Sequence, residues 1–194
     1  MGAVRLVVTQ PETVSDGELI ERMAEGDRDA LGALFDRHHR ALYGFLGQAS
    51  DAEDSEIEDL VQTTFLEAFR SAQRFRGLSS PRTWLFAIGA NVARMHRRAT
   101  RRRTRALQRL AAQPERTSTA LDTRVADQRA LAQVEAALAD LPHRLRIAYV
   151  MCVIEGVAAD DAARALGVAR GSIWRRVHQA RQRLRAVVEA EGAP

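Results

Sequence analysis

The chain has 194 residues, enough for one or two small domains, and 46% of them are hydrophobic, too many for a disordered tail. No run approaches the roughly 18 continuous apolar residues of a membrane span. The N-terminal stretch Met1–Val8 lacks the apolar core of a signal peptide, and the one cysteine, Cys152, excludes an internal disulfide and a cysteine-cluster zinc site. The net charge is only +4, but it is unevenly spread. Residues 51–60 hold six acids and no base, 94–109 hold eight arginines and no acid, and 164–185 hold seven arginines and no acid. Two basic patches flanking an acidic one suggest two nucleic-acid contacts and a separate protein contact.

Residues 1–15 read as a loose tail. A helix pattern starts at Asp16 with Leu19, Ile20 and Met23 on one face, and Gly26-Asp27 reads as a helix stop followed by an N-cap. The next helix spaces Leu31, Leu34, Phe35, His38, Leu42, Phe45 and Leu46 by three and four. Residues 47–56 read as a polar, acidic loop. The clearest periodicity follows: Ile57, Leu60, Val61, Thr64, Phe65, Ala68 and Phe69 make one stripe, with Leu66 off it. After a loop at 75–80, Pro81 suits the first turn of a helix, where its missing N–H costs little. That helix begins apolar (Trp84, Leu85, Ile88, Val92, Met95) and ends in arginines from Arg94 to Arg109.

From Ala111 the pattern dissolves into Gln113-Pro114 and Thr117-Ser118-Thr119, a linker composition. The reading is therefore a tail at 1–15, a first helical domain at 16–106, a flexible linker at 107–128 and a second domain at 129–190. In the second domain Leu131, Val134, Leu138 and Leu141 share one face. Pro142 opens a helix with Leu145, Ala148, Tyr149 and Cys152, and Gly156 ends it. Ala163, Gly167 and Ile173 then have helix-turn-helix spacing: a small residue for close approach, a glycine for the turn, a β-branched residue to pack the second helix back. Val168 and Val177 fill adjacent core positions. The class is all-α, two small helical domains.

A helix anchored in a core at one end and cationic at the other suits a long polyanion. The preceding loop, Phe75 to Arg82, sets an aromatic beside cations and small polar residues. Single-stranded nucleic acid calls for this mixture, because bases stack while phosphates pair. His38 on an apolar face reads as a satisfied core histidine, and neither it nor His39 has metal-ligand spacing to the acids at 51–59. No phosphate loop or nucleophile motif occurs, so the reading includes no enzyme activity, cofactor or small-molecule substrate.

Three segments in order carry a resemblance. Ile57-Glu58-Asp59-Leu60-Val61-Gln62-Thr63-Thr64-Phe65 resembles the core-polymerase-binding helix of bacterial sigma factors. Thr83-Trp84-Leu85-Phe86-Ala87-Ile88-Gly89-Ala90-Asn91, running into arginines, resembles their promoter-melting and −10-reading region. Leu141-Pro142 with Gly167-Val168-Ala169-Arg170-Gly171-Ser172-Ile173 resembles their −35-reading domain. The whole is similar to the extracytoplasmic-function (ECF) group, which keeps only these two domains.

The resemblance implies that the chain binds core RNA polymerase at its clamp and flap, directs it to promoters and helps melt the −10 element. Asp59, Leu60, Gln62 and Phe65 fall on the polymerase-binding helix, with Asp59 and Gln62 off the apolar stripe. Phe75, Arg76, Ser79, Ser80, Arg82 and Asn91 fall where the melted non-template strand is held, with Arg94, Arg97, Arg98 and Arg101 as phosphate contacts. Trp84 reads as core. At the −35 duplex the candidates are Arg144, Arg170, Ser172, Trp174, Arg175, His178, Gln179 and Arg181. The family commonly has threonine-valine-lysine-serine-arginine where this chain has Ser172 to Arg176, which predicts an atypical promoter sequence. The lack of a membrane span and of a signal peptide reads as a cytoplasmic protein, and the family implies an anti-sigma partner, so the chain is expected on the nucleoid when active and at the membrane where that partner is anchored there. Two other readings compete. A helix-turn-helix regulator acting without polymerase leaves the 57–69 helix and the aromatic loop unexplained. A magnesium-dependent nucleic-acid enzyme needs converging carboxylates, whereas Asp51 to Glu56 lie in one short stretch.

Overall fold

The computed structural model describes residues 14–110 and 136–191, all helical or irregular, with no strand among them. The first domain contains α1 (Asp16–Ala24), α2 (Arg28–Ala49), α3 (Asp54–Ser71) and α4 (Pro81–Leu110). The second contains α5 (His143–Tyr149), α6 (Ala159–Leu166) and α7 (Arg170–Glu191).

Local chemistry sets the helix starts. The Ser15 hydroxyl accepts from the Glu18 amide at 3.2 Å while the Glu18 carboxylate accepts from the Ser15 amide at 2.7 Å, a closed capping box. Asp27 caps α2, accepting from the Asp29 and Ala30 amides at 2.9 and 3.2 Å, and also pairs with Arg22 at 2.6 Å. Together Arg22 and these amides hold the Asp27 carboxyl below its ordinary range. The expected loop at 47–56 is shorter than read. Helix α2 continues to Ala49 and α3 starts at Asp54, because Asp54 and Glu56 in the first turn of α3 favour its N-terminal dipole.

The core of the first domain is the periodic stripe. Leu19, Ile20, Met23, Leu34, Leu42, Phe45, Leu46, Ile57, Leu60, Val61, Phe65 and Ala68 are buried, with Leu85 and Phe86 from α4. Phe45 and Phe86 stack at 4.6 Å. Helix α4 crosses α2 at Gly89, where an added Cβ would lie 3.1 Å from Leu42 Cδ1, so this crossing depends on the missing side chain. Leu66 is exposed as its position off the stripe requires. Met95, read as core, is 65% exposed: α4 has left the bundle by that point, and Arg98 to Leu107 all face solvent. The helix runs to Leu110, past the expected boundary at 106. His38 is satisfied by Asp16 at 2.6 Å.

In the second domain the patterned residues Leu131 and Val134, like linker residues 111–128, lie outside the described residues. Leu138, Leu141, Leu145 and Ala148 are buried. Helix α5 runs straight into a π-helical turn, Val150–Ile154, and Gly156 (φ 67°) ends it. Cys152 is half-buried, and burial pushes its thiol up. The helix-turn-helix forms at the expected residues. Gly167 takes φ 64°, a left-handed conformation costly for any residue with a Cβ, and Ala163, Ile173 and Val177 close the core between α6 and α7.

The two domains touch. Helix α6 packs against α4, and the π-helical turn against α2. Arg146, 1% exposed, crosses this boundary: it donates to the Ser50 carbonyl at 2.7 Å and to the Asp51 carboxylate at 2.5 Å, and also to Ala139 O. Asp51 therefore does not stand free for another protein, as its acidic neighbourhood suggests. It is bound within the chain.

Candidate polymerase and promoter interface

On α3, Leu60 and Phe65 are buried, 5% and 3% exposed, while Asp59 and Gln62 face solvent. The helix thus separates packing from presentation, as its stripe predicts. Beside this face a groove of about 910 Å³ runs between α3 and α4, lined by Leu60, Thr63, Trp84, Ile88, Asn91 and Met95 among others, with Arg98 and Arg102 at its rim.

The loop before α4 turns at Gly77 and ends in a cap. The Ser80 hydroxyl accepts from the Thr83 amide at 3.1 Å and bonds the Thr83 hydroxyl at 2.9 Å. That engagement makes Ser80 the cap of α4 and leaves Ser79 and Arg76 as the freer polar groups of the loop. Phe75 packs tilted on Trp84, centroids 5.0 Å apart, so both aromatics are half-buried. Arg82 lies over the Phe86 ring at 4.7 Å. It pairs with Glu155 of the second domain and donates to the Glu155 carbonyl at 3.3 Å. Asn91, about two and a half turns beyond Arg82, is exposed and accepts from Arg94 at 3.0 Å.

The cationic end of α4 divides. Arg94, Arg98, Arg101, Arg102, Arg103 and Arg105 face solvent. Arg97, expected among them, is 22% exposed and pairs with Asp51 at 2.8 Å. An acid that sequence spacing does not bring near Arg97 is brought there by the fold. Arg146 and Glu155 escaped sequence reading for the same reason: their partners lie 96 and 73 residues away in the chain.

On α7, Arg170, Trp174, Arg175, His178, Gln179 and Arg181 are exposed on the side away from Ile173 and Val177, and Ser172 is half-buried. Trp174 is 57% exposed, so it does not pack into the neighbouring helix. Arg170 pairs with Asp160 at 2.7 Å, and Arg175 donates to the Gly171 carbonyl at 3.3 Å. Arg144 is exposed on α5. Among the described residues no group of three or more histidine, cysteine or carboxylate side chains could hold a metal, and no helix is long and apolar enough to cross a membrane.

A solvent-facing polar strip on one buried helix, a cationic helix beside a capped aromatic loop, and a helix-turn-helix define a two-domain nucleic-acid-reading protein. Residues 34–103 match the family model for Sigma-70 region 2, and residues 131–184 that for Sigma-70 region 4. The ECF RNA polymerase sigma factor SigM of Mycobacterium tuberculosis is 35% identical over 171 residues, 88% of this chain and 83% of its own. The ECF RNA polymerase sigma-E factor of Haemophilus influenzae is 30% identical over 179 residues, 88% of this chain and 94% of its own. Among solved structures, CnrH in complex with the cytosolic domain of CnrY superposes with a TM-score of 0.65 at 27% identity, over 91% of this chain and 99% of that one. RpoE in complex with the anti-sigma factor NepR, from Bartonella quintana, gives 0.61 at 28% identity, over 80% and 94%. The chain belongs to the ECF RNA polymerase sigma factors, non-catalytic initiation factors that bind the polymerase and confer promoter specificity.

Proposed function

We propose that the exposed strip of α3 docks on the polymerase clamp, that the 75–82 loop with Asn91 holds the melted non-template −10 strand, and that α7 reads the −35 duplex. The observation that supports this most is the separation of surfaces on adjacent helices. Asp59 and Gln62 point out from α3, while Asn91, Arg94, Arg98 and Arg101 point out from α4, so one domain can hold polymerase and strand together. Clamp contact rests on Asp59 and Gln62, with Leu60 and Phe65 fixing the helix beneath them. Strand capture rests on Phe75, Arg76, Ser79, Arg82 and Asn91, with Ser80 shaping the loop as its cap. On α7, Arg175 suits a guanine edge and Gln179 an adenine, Trp174 suits a thymine methyl, and Arg144, Arg170 and Arg181 suit phosphates.

The solved structure of RpoE bound to the anti-sigma factor NepR supports an anti-sigma partner for this chain too. The protein then works in the cytoplasm, on the nucleoid when active and at the membrane where that partner is anchored there. Run-off transcription with purified core polymerase tests the reading, with permanganate reporting unpaired thymines at −10. Promoter-specific transcripts and opened −10 thymines are expected. Absence of a complex with core overturns it.

A further inference from the structure

We propose that Met95 is a base-stacking residue at the paired edge of the −10 site, where the opened strand returns to duplex on its way to the −35 element. This rests on the proposed reading of the 75–82 loop and Asn91 as the −10 strand site. Neither core packing nor phosphate contact accounts for Met95. Its side chain is 65% exposed, although the apolar repeat of α4 continues through it. It lies one turn beyond Asn91, about 6 Å along the helix axis, or roughly two steps of stacked bases. Both residues line the groove between α3 and α4, with Trp84 and Ile88 before them and Arg98 and Arg102 after them. The helix end beyond Met95 is also the end from which the chain continues to the −35-reading domain.

The groove wall changes character at Met95. Before it stand an indole, a branched alkyl group and an amide, which suit bases. After it come arginines, which suit phosphates. Arg94 and Arg98 flank Met95 along the helix and both face solvent, so a backbone held by the two leaves a base to the thioether. Glu67, the acid among the groove's lining residues, is paired with Arg70 at 2.6 Å, and the charge left in the groove is that of its arginines. Opening a duplex leaves the last paired base with one face uncovered. An unbranched, polarisable thioether adapts to such a face, and apolar side chains of this kind enter base steps where proteins distort DNA. Stacking tolerates any base. Met95 therefore fixes where the opening stops rather than which sequence is read.

Met95→Ala removes the stack, Met95→Gln keeps its length without its apolar character, and Met95→Leu keeps the apolar surface. A site this exposed tolerates all three without loss of fold. The full chain assembled with core polymerase is given two probes cut from one promoter that it transcribes. One is a fork, duplex upstream and unpaired through the non-template −10 element; the other is the −10 non-template strand alone. On the fork, Met95→Ala and Met95→Gln are expected to bind about five- to tenfold more weakly, the worth of one thioether–base contact, and Met95→Leu within about twofold of wild type. On the strand alone all three are expected to match wild type. A fork that lacks the non-template base at its last paired position is expected to bind wild type and Met95→Ala alike. Equal binding of wild type and Met95→Ala to the intact fork overturns the stack, and so does a loss that persists on the fork without that base. An equal loss on the strand alone makes Met95 a strand contact, and weaker binding of core without DNA makes it a polymerase contact; either overturns the proposal. Asn91→Ala tests the reading beneath it and is expected to weaken both probes. If Asn91→Ala leaves binding of the strand alone unchanged, it is the strand-site reading that fails, and the placement of Met95 with it.

Discussion

Helices α4 and α7 both carry a run of arginines, yet their cations have different surroundings. The α7 arginines other than the half-buried Arg176 face water, with one ion pair inside the helix-turn-helix, Arg170 to Asp160. On α4, Arg82 and Arg97 are held by acids on other elements, and in the second domain the buried Arg146 shares Asp51 with Arg97. Charge on an arginine is fixed by its chemistry. Whether it reads DNA or holds domains together is decided by which carboxylate the fold brings within 3 Å.

The largest contrast is expected at Arg146. Arg146→Ala strips donors from Ser50 O, Asp51 and Ala139 O at a site water barely reaches, so unfolding free energy should drop by roughly 2–4 kcal/mol. Chemical denaturation would measure it, and a loss below about 0.5 kcal/mol would show the residue to be an ordinary surface cation. Arg175→Ala on α7 should leave stability unchanged and cost roughly 1–3 kcal/mol of discrimination at one −35 base pair. If instead all promoters weaken alike, with a shallower salt slope, Arg175 is a phosphate contact. The α3 strip comes next. Asp59→Ala with Gln62→Ala should weaken core binding by about 1–2 kcal/mol with the fold intact, readable by competition against another sigma factor for core. Equal competition would remove the assigned face.

These contrasts also mark what sequence could reveal. Periodicity located every helix of the first domain, because a 3.6-residue repeat depends only on neighbours along the chain. The turn at Gly167 and the core at Ala163 and Ile173 were legible for the same reason. Met95 was misplaced because the repeat continues past the point where α4 loses its partners, and sequence does not tell where a packed neighbour ends. Ser80, expected as a strand contact, caps α4, a second role that a serine before Pro81 can equally fill. The whole domain interface was invisible: Asp51, Arg97 and Arg146 meet only after two domains have folded and docked.

The smallest expected effect falls on the same interface and arises from His143. Its imidazole is bonded to the Ala90 backbone and faces Arg97 of α4, Arg146 of its own helix, and Asp51. Burial, then the Arg97 charge, holds its pKa below the ordinary 6.5, with the Ala90 bond and Asp51 opposing only in part. A depressed histidine binds a proton more readily once the interface opens than while it is closed. Closure is therefore at full strength above the ordinary pKa and weakens as pH falls below it. Scattering curves for wild type should broaden between pH 7.5 and 5.5, by conditions, while His143→Gln, which cannot charge, should respond less. An equal response in the variant would assign the pH dependence to other groups. A wild type that tightens on acidification would mean that Asp51, rather than the two arginines, dominates the field at the ring.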